Sequence, residues 1–533
     1  MNKSNDWISN CVSDYNTYQL SLPLDLGLLI EPDDEVVSFL KIIGGMNLRR
    51  YLKTNTDNRG RKGYRKTDML RTVLFAYMNG YYHTREIEKI CKTDIRFMYL
   101  MQEERPSHNA FARFISETMT ASIDDIFFDT VKHIIDEMKV SPSVTYIDGT
   151  KFEAYANKYT FVYKKRIINN RIKLFSKITE AIEALDRDFG YDYPVNDRYC
   201  AQEIGYIVQY LIEVIGNSGT ELMYGTGRRK TEIQRTYEEF LGFYAKLLEY
   251  EYWLDVIGEA RNSCSKTDHD ATMGALKIDY YCNTGLSRPC YNAQIAVSDG
   301  IVINADLYQY MGDTNTFIPF LERHNSRYGS YPVFPVTDAG YGSYTNYMFA
   351  AEHDIQLVQK YGYYAKKNTA KSKKDRFNVL NWETSDGIRT CPQGKRFDVQ
   401  TGDVRSEKGG YLSITQKLTC EESCEECPFR AECYRSAKDR RVISRNVVLE
   451  EFYSTVDANL ETDFGKELKK QRSIQAEGAF GVIKEDMCFT RFSRRGMKNA
   501  KMEFLLVCLA YNFRKYHHYR LRSEGKKEET AAS

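Results

Sequence analysis

A short stretch, residues 144–148, limits what the middle of this chain can form. Val144, Tyr146 and Asp148 alternate with the two residues between them, which is the period of a β-strand whose two faces differ. Gly149 follows, so we expect the strand to end at Asp148. Open α/β sheets bind ligands at the carboxyl ends of their strands, and this carboxylate is therefore a candidate site residue. The alternative is an ordinary turn or capping aspartate.

Composition indicates a globular chain of several folding units but does not by itself indicate a partner. The chain has 533 residues, of which 42% are apolar and 28% charged, with a formal net charge of +2. Basic residues nevertheless cluster in five separate stretches, namely 49–66, 164–166, 228–230, 366–376 and 494–527. Several separated basic patches suit a long polyanion better than a small anionic substrate. Solvated surface patches are the alternative for any one of them.

The sequence carries no sign of a membrane or secretory segment. The N-terminus lacks an apolar segment of the signal-peptide kind, and the longest apolar run, 504–511, is far shorter than the ~20 residues of a membrane span. We expect a cytoplasmic protein with no membrane partner. Its 13 cysteines are then interpreted as reduced thiols or metal ligands, because only one group of them is clustered.

The order of patterns along the chain predicts the α/β class. Helical periodicity dominates up to about residue 140. It returns in 158–265, a stretch that is too long for a loop and therefore predicts an inserted helical unit. Strand patterns at 291–297 and 301–307 flank a tight turn, and Val333–Asp338 is a further strand that ends in an acid. A hairpin followed by a strand, a helix and a strand predicts a mixed sheet with flanking helices.

The cysteine cluster predicts a small metal site. The spacing of these cysteines is close to that of zinc knuckles, in which thiolates replace a missing core. The simplest ligand set is Cys391, Cys424, Cys427 and Cys433, and Cys420 is a fifth candidate for four places. Reduced surface thiols that bind nothing are the alternative.

A third acid lies on a predicted helix near the C-terminus. Glu477 and Lys484 are seven residues apart, so they share one face of that helix. Phe480 and Ile483 are placed to dock it against a sheet. An exposed helix with an unremarkable Glu and Lys is the alternative.

Together these motifs resemble a known family. The segments 148–151, 338–341 and 477–484 resemble the three acidic motifs of DDE transposases from bacterial insertion sequences. The resemblance covers nearly the whole chain. Further segments are similar to the N-terminal domain and the spacer regions of one subgroup, namely 60–114, 157–159, 267–268 and 291–294.

The resemblance implies an α/β, RNase H-like mixed sheet with a helical N-terminal domain, a helical insertion and a small cysteine-rich insertion. The expected parts are a DNA-binding domain at 1–140, a catalytic domain at 141–157, 266–363 and 449–520, a helical insertion at 158–265, a cysteine-containing insertion at 364–448 and a charged tail at 521–533.

The resemblance also implies the chemistry. Two divalent ions, Mg²⁺ or Mn²⁺, serve the attacking and the leaving oxygen of a phosphodiester, and carboxylates are the hard ligands that hold them. We expect Asp148 to bridge both ions, Asp338 to hold one and Glu477 the other. The partners are double-stranded DNA, as inverted-repeat ends and target, and a second copy of the chain in a homodimer on DNA.

Basic residues near these motifs are expected to contact DNA. Lys484 would contact a phosphate near the cut. Arg472 and Lys151 are further DNA-binding candidates, together with Arg61 and Lys62 in the N-terminal basic stretch.

One departure from related families concerns the helix that carries Glu477. Those families have a Tyr and an Arg at fixed spacing before the Glu, and here these positions hold Lys470 and Ser473. Arg472 stands next to the Arg position and is a candidate substitute.

Two other functions are compatible with the same residues. One is a transposase-derived DNA-binding protein that is no longer catalytic. The other is an RNase H-like nuclease that cuts DNA without strand transfer.

Overall fold

A computed structural model describes residues 26–52, 63–219, 221–225, 229–276, 287–436 and 438–532. By its internal contacts the chain divides into two units. One contains the residues up to Met119 together with those from Tyr516 onward, and the other contains Thr120–Lys515. The predicted domain boundaries stay predictions.

The first unit is helical. Its helices are α1 (Glu35–Gly44), α2 (Lys66–Met78), α3 (Thr84–Ile90), α4 (Ile95–Leu100) and α5 (His108–Phe114). Aromatic rings form its core, with the Phe75 ring centroid 5.4 Å from that of Phe39 and 5.1 Å from that of Phe97. Ser38 Oγ lies 2.8 Å from His517 Nδ1, a contact within this unit.

The second unit contains a six-stranded mixed sheet. Its strands are β1 (Val144–Glu153), β4 (Thr272–Ala275), β5 (Ser287–Ser298), β6 (Ile301–Tyr308), β7 (Phe334–Thr337) and β8 (Val358–Gln359). The order is β4-β5-β1-β7-β8, and β6 also pairs with β5. Strand β5 is antiparallel to its partners, whereas β1, β7 and β8 run parallel to one another.

The expectation that the first strand ends at Asp148 is wrong. Strand β1 continues to Glu153, because its later residues stay paired with β5, for example Gly149 with Gln294. The parallel neighbour β7 stops at Thr337, as expected from the sequence, and Asp338 follows it directly. Asp148 is therefore in the middle of β1 but level with the end of the neighbouring strand β7.

The predicted hairpin is confirmed. Strands β5 and β6 are joined by Asp299 and Gly300, both with positive φ (47° and 80°). A two-residue turn of this kind matches the right-handed twist of the strands.

The second unit also contains helices, three of which form the long insertion, and its last helix continues into the first unit. They are α6 (Thr120–Met138), α7 (Lys164–Phe189), α8 (Ala201–Asn217), α9 (Glu232–Ile257), α10 (Phe317–Tyr328), α11 (Tyr344–Glu352), α12 (Tyr364–Lys367), α13 (Ala370–Lys374), α14 (Arg430–Cys433), α15 (Val447–Glu461), α16 (Asp463–Arg472), α17 (Gly478–Gly481) and α18 (Met497–Ala532). Helices α7 to α9 lie between β2 (Phe161–Tyr163) and β3 (Ser263–Ser265), which pair with each other. They bury a core of their own that includes Ile182, Ile204 and Phe240.

The cysteine-containing segment forms two small sheets. One consists of β9 (Glu383–Ser385), β10 (Ile388–Thr390) and β11 (Arg396–Phe397), and the other of β12 (Val399–Lys408), β13 (Tyr411–Thr419) and β14 (Ile443–Arg445). Their shared core consists of only a few buried residues, among them Trp382, Phe397 and Cys420.

A cluster of aromatic rings docks the C-terminal part of the second unit on β1. Phe152 is 1% exposed, and its ring centroid lies 6.3 Å from that of Phe480, 5.4 Å from that of Phe489 and 5.9 Å from that of Phe504. Phe480 is on the helical segment that carries Glu477, so burial of this ring fixes that segment against the sheet.

Among the residues that the structure describes, no helix is both long enough and apolar enough to cross a membrane.

Candidate active site

The two aspartates are brought together by the pairing of their strands. In the parallel ladder of β1 with β7, Tyr146 is opposite Val336, and two further steps bring Asp148 level with Asp338. Neighbouring strands are about 4.8 Å apart, and residues opposite each other in a ladder point to the same face. The strand pairing therefore places Asp148 in β1 level with Asp338, which directly follows the end of β7.

The third acid is on an irregular helical segment above this face. The segment changes from α16 to a π-helical turn at Ser473–Glu477, in which the Gly478 amide donates to the Ser473 carbonyl. A second π turn, Val482–Asp486, follows α17. The amide side chain of Gln475 accepts a hydrogen bond of 2.6 Å from Gly300 N in the β5–β6 turn, which ties the segment to the sheet.

The π turn accounts for the unusual spacing of Arg472. A π turn contains one residue more than an α-helical turn, so residues five apart lie on the same face. Arg472, five residues before Glu477, therefore takes the position that Ser473 would have in a regular helix. Its Nη2 donates to Glu477 Oε1 at 2.5 Å, which confirms this alignment.

Arg472 joins the helix to the sheet strand. Its Nη1 lies 3.4 Å from Asp148 Oδ1, and both side chains are nearly buried, with 14% and 13% exposed. Glu477 is 51% exposed. One guanidinium thus binds two acids that are more than 300 residues apart in the sequence, and Asp148 and Glu477 lie within reach of one cation.

Lys484 lies on the same side. Its Nζ donates to Thr150 Oγ1 at 2.5 Å and lies 5.0 Å from the Phe152 ring centroid. The lysine lines a cavity of about 210 Å³ together with Asp148 and Glu477.

Asp338 faces a second, smaller cavity, which Arg472 also lines, together with Lys360 and Lys469. The Asp338 carboxylate caps the short helical turn that follows it, since its Oδ1 accepts a hydrogen bond of 2.8 Å from Gly340 N. Arg472 is therefore common to the surroundings of all three acids.

A set of polar residues that the sequence analysis did not identify as functional lies behind the aspartates. The Tyr341 hydroxyl donates to Gln294 Oε1, and Gln294 in turn donates to Asp313 Oδ1 at 2.9 Å. Complete burial raises the pKa of Tyr341 well above its usual value, and the charges of Asp313, Asp148 and Asp338 add to the rise. The only sequence signal was the segment 291–294, which was interpreted as a spacer.

The other predicted DNA contacts have different positions. Lys151 also borders the cavity of Asp148, Glu477 and Lys484. Its side chain alternates with that of Asp148 along β1, and its Nζ donates to the Ala275 carbonyl oxygen at 3.4 Å. Arg61 and Lys62 lie outside the described residues.

The structure partly assembles the cysteines. The sulfur atoms of Cys420 and Cys424 are 3.8 Å apart, and Cys391 packs against the same small core. Burial, with the neighbouring Cys424, raises the pKa of Cys420 to about 11. Cys433 Sγ instead accepts a hydrogen bond of 3.0 Å from Arg441 Nη1.

The donor chemistry of the acidic site fits divalent ions, although the carboxylates hold Arg472 in this conformation. Among the residues described, no group of three or more His, Cys, Asp or Glu side chains is close enough to hold a metal ion. Asp148 and Glu477 nevertheless already share one positive group, and carboxylate oxygens are the ligands that Mg²⁺ prefers. A divalent ion bound there would neutralise the two carboxylates in place of the Arg472 guanidinium.

Comparison with known protein families gives two matches, and both are to transposase domains. Residues 390–517 match the family described as "Transposase DDE domain", and residues 25–117 match "Transposase domain (DUF772)". More narrowly, the two matches support a DDE transposase of an insertion sequence, which confirms the resemblance found in the sequence. The first match contains Glu477 and Lys484, whereas Asp148 and Asp338 lie outside both. No curated protein matches the chain significantly.

We expect Arg472→Gln to lower the melting temperature of the metal-free protein, because two carboxylates near each other lose their shared counter-ion. Addition of Mg²⁺ should reduce the difference, since the ion supplies that charge. Thermal unfolding with EDTA and with Mg²⁺ measures both effects. The matched control is Arg396→Gln, whose ion pair with Asp398 is largely exposed. An equal decrease with and without Mg²⁺ would contradict this role of Arg472.

Proposed function

We propose that this protein is a transposase that cuts and joins DNA at the ends of an insertion sequence, with Asp148, Asp338 and Glu477 as its catalytic acids. The observation that carries the proposal is the shared contact of Arg472 with Asp148 and Glu477. This contact joins a strand and a distant helix at the level where the neighbouring strand β7 ends and Asp338 follows it.

The sheet supports an RNase H-like catalytic domain. Strand β5 pairs antiparallel with β1 on one side and with β6 on the other, and the parallel strands β7 and β8 lie on the opposite side of β1. The candidate acids lie where the parallel part ends, which is the usual place for ligands in such sheets.

The chemistry follows from the groups that face the site. Two divalent ions, held by the three acids, would supply an activated oxygen nucleophile and stabilise the leaving oxygen. Lys484 contributes a fixed positive charge beside Asp148, where it can hold a DNA phosphate. Arg472, once displaced from the carboxylates, is near enough to bind a second phosphate oxygen in a bidentate manner.

A basic groove that follows β8 along the chain supports DNA as the partner. Strand β8 ends at Gln359, beside β7, and the chain continues into α12 and α13. A groove of about 860 Å³ lies there, lined by Lys366, Lys367, Lys371, Arg389 and Arg441 among others, with two acids.

Two of these lysines are available to a ligand. Lys367 pairs with Asp457, and Arg389 pairs with Glu450. Lys366 and Lys371 form no ion pair within the described residues, and both are exposed. Unpaired cations in a groove lined by several basic residues suit the phosphates of DNA.

Other parts of the proposal follow from the class of protein. The helical first unit would bind the inverted-repeat ends, a homodimer would pair two such ends, and the protein would act on DNA in the cytoplasm. Ion pairs formed with phosphates by Lys and Arg would make this binding weaken as salt rises.

We further propose a structural zinc ion in the cysteine segment. Cys391, Cys424 and Cys427 are candidate ligands, and the geometry favours Cys420 over Cys433 as the fourth, because Cys420 lies against Cys424. Thiolates would then stabilise a core of only a few buried residues.

If this assignment holds, purified protein contains about one zinc per chain by elemental analysis. Cys420→Ser should lose the zinc and lower the melting temperature, whereas Cys433→Ser should keep both. The exposed Cys488 is the matched control position. If only Cys433→Ser loses the zinc, the ligand set expected from the sequence, with Cys433 as the fourth ligand, is correct. If the unaltered protein contains no zinc, there is no zinc site.

The catalytic proposal is tested with Asp148→Asn, Asp338→Asn and Glu477→Gln. Each should reduce Mg²⁺-dependent cleavage of end-containing DNA by at least about a thousandfold, because ions are no longer held at the phosphate, while DNA binding persists. Glu467→Gln, an exposed position on α16, is the matched control and should cleave normally. Normal cleavage by Asp148→Asn would refute the assignment. DNA that is cut but never joined would favour a nuclease, and a parental protein that binds without cutting would favour an inactive derivative.

The groove is tested with Lys366→Ala combined with Lys371→Ala. This double variant should bind DNA that extends past the cut more weakly and lower the salt dependence of binding by about two in the log–log slope, one for each lysine. Lys246→Ala combined with Lys466→Ala, both exposed lysines paired with acids, is the control. An unchanged slope would show that the groove does not contact DNA.

A further inference from the structure

We infer that Arg491 and Arg495, both held on the ring of Tyr155, form a further DNA-contact site that binds backbone phosphates beside the cut. The inference rests on the proposed function and deepens it. It assigns a ligand to Arg491 and to the start of the basic stretch 494–527, which lie beyond the acidic motifs along the chain.

The chain that follows Glu477 begins its course beside the middle of β1. Arg472 connects Glu477 to Asp148, and Lys484 Nζ donates to Thr150 Oγ1, two residues further along the strand. Asp148 and Thr150 point to the same face, because alternate residues of a strand share a face. The chain therefore advances along β1 in the direction of the strand.

The same course continues to the end of β1 and past it. Phe492 N donates to the Glu153 carbonyl at 2.9 Å, and Glu153 forms a parallel β-bridge with Arg491. Further on, Arg495 Nε donates to the Tyr155 carbonyl oxygen at 3.1 Å. Basic side chains thus follow β1 from the level of the acids to the residues beyond its end, and such a row of charges suits a polyanion.

The ring of Tyr155 holds both guanidinium groups. Its centroid lies 5.4 Å from Arg491 Cζ and 5.1 Å from Arg495 Cζ. Both distances are within the ~6 Å range of a cation–π contact. Tyr155 is 45% exposed and Arg495 is exposed, so this pair of cations is open to a ligand from solvent.

Nearby acids compensate only part of this positive charge. Arg491 Nε lies 3.6 Å from Glu153 Oε1, whereas Arg495 forms no ion pair with an acid in the described part of the chain. Residues 488–498 contain four basic residues and no acidic residue. Two guanidiniums on one ring with one carboxylate between them attract an anion, and their planar donors match a phosphate group.

The loop that carries the two arginines is fixed before any ligand binds. Ser493 donates to the fully buried Glu503 twice, from N at 3.0 Å and from Oγ at 2.6 Å. Gly496, with a φ of 81°, donates from its N to Asp268 Oδ2 at 3.2 Å. Because the backbone is held, a phosphate that binds here does not have to order the loop.

The position of Tyr155 along the chain limits where on DNA the contact falls. Tyr155 follows Asp148 by seven residues. At ~3.4 Å per residue this is at most about 24 Å. One DNA strand advances ~3.4 Å per nucleotide along the helix axis, so the phosphate lies within about seven nucleotides of the cut.

The first test is binding of the full chain to a fluorescent duplex that contains one element end, measured in EDTA at several salt concentrations. Arg495→Gln should weaken binding about tenfold and lower the log–log salt slope by about one, because one phosphate contact is lost. Arg396→Gln, an exposed arginine paired with Asp398, is the matched control and should bind like the unaltered protein.

The second test concerns Tyr155 as the positioning residue. Tyr155→Leu should weaken binding about three- to tenfold at an unchanged melting temperature, and Tyr155→Phe, which keeps the aromatic ring, should bind normally. A lower melting temperature with unchanged affinity in Tyr155→Leu would show a structural role only. This variant also tests the site if Arg495→Gln does not fold.

The third test locates the phosphate. Duplexes that carry a single uncharged methylphosphonate are compared at each position within about seven nucleotides of the cut. At one or more of these positions the substitution should weaken binding by the unaltered protein and have no further effect on Arg495→Gln. Equal losses for both proteins at every position would contradict the contact.

Unchanged affinity and unchanged salt slope in Arg495→Gln overturn the inference. If the unaltered protein nevertheless cleaves this DNA with Mg²⁺ and Asp148→Asn does not, only the contact site is wrong and the proposed function stands. If the unaltered protein neither binds nor cleaves the duplex, the proposed function itself is wrong.

Discussion

The pairing of β1 with β7 is the constraint on which the rest of the site depends. Because the ladder brings Tyr146 opposite Val336, the acids two residues further on come level with each other along the two strands. Strand β7 stops at that level while β1 continues along β5. Beyond the end of β7, Asp148 therefore has a neighbouring strand, β5, on one side only. On its other side the edge of β1 is accessible to a helix and to ligands.

The helical segment that carries Glu477 contains a π turn, and this turn determines which side chain faces Asp148. A regular α-helix would present Ser473 above the acid, and the extra residue of the π turn presents Arg472 instead. Such turns often occur at functional sites, where they re-aim a side chain at some cost in stability. Here the cost is offset by the burial of Phe480 against Phe152 and by the Gln475 bond to the sheet.

Local patterns predicted the elements but not all of their ends or their neighbours. The strand at Val144, the hairpin around Gly300 and the acid at the end of β7 follow from periodicity and turn chemistry, which are local. The end of β1 depends on pairing with β5, a partner about 140 residues away, so Gly149 alone was misleading. Asp313 has no motif of its own, and its position results from side chains of β5 that only the folded chain brings near.

The central claim is that three acids from two strands and one helix hold divalent ions for DNA cleavage. The most direct measurement is anomalous diffraction from crystals of the protein with end-containing DNA and Mn²⁺. The account predicts Mn²⁺ peaks bound by the carboxylates of Asp148, Asp338 and Glu477, with Arg472 moved off the acids towards a phosphate. A complex with the DNA end in place, Arg472 still bound to Asp148 and Glu477, and no Mn²⁺ between the carboxylates would contradict it.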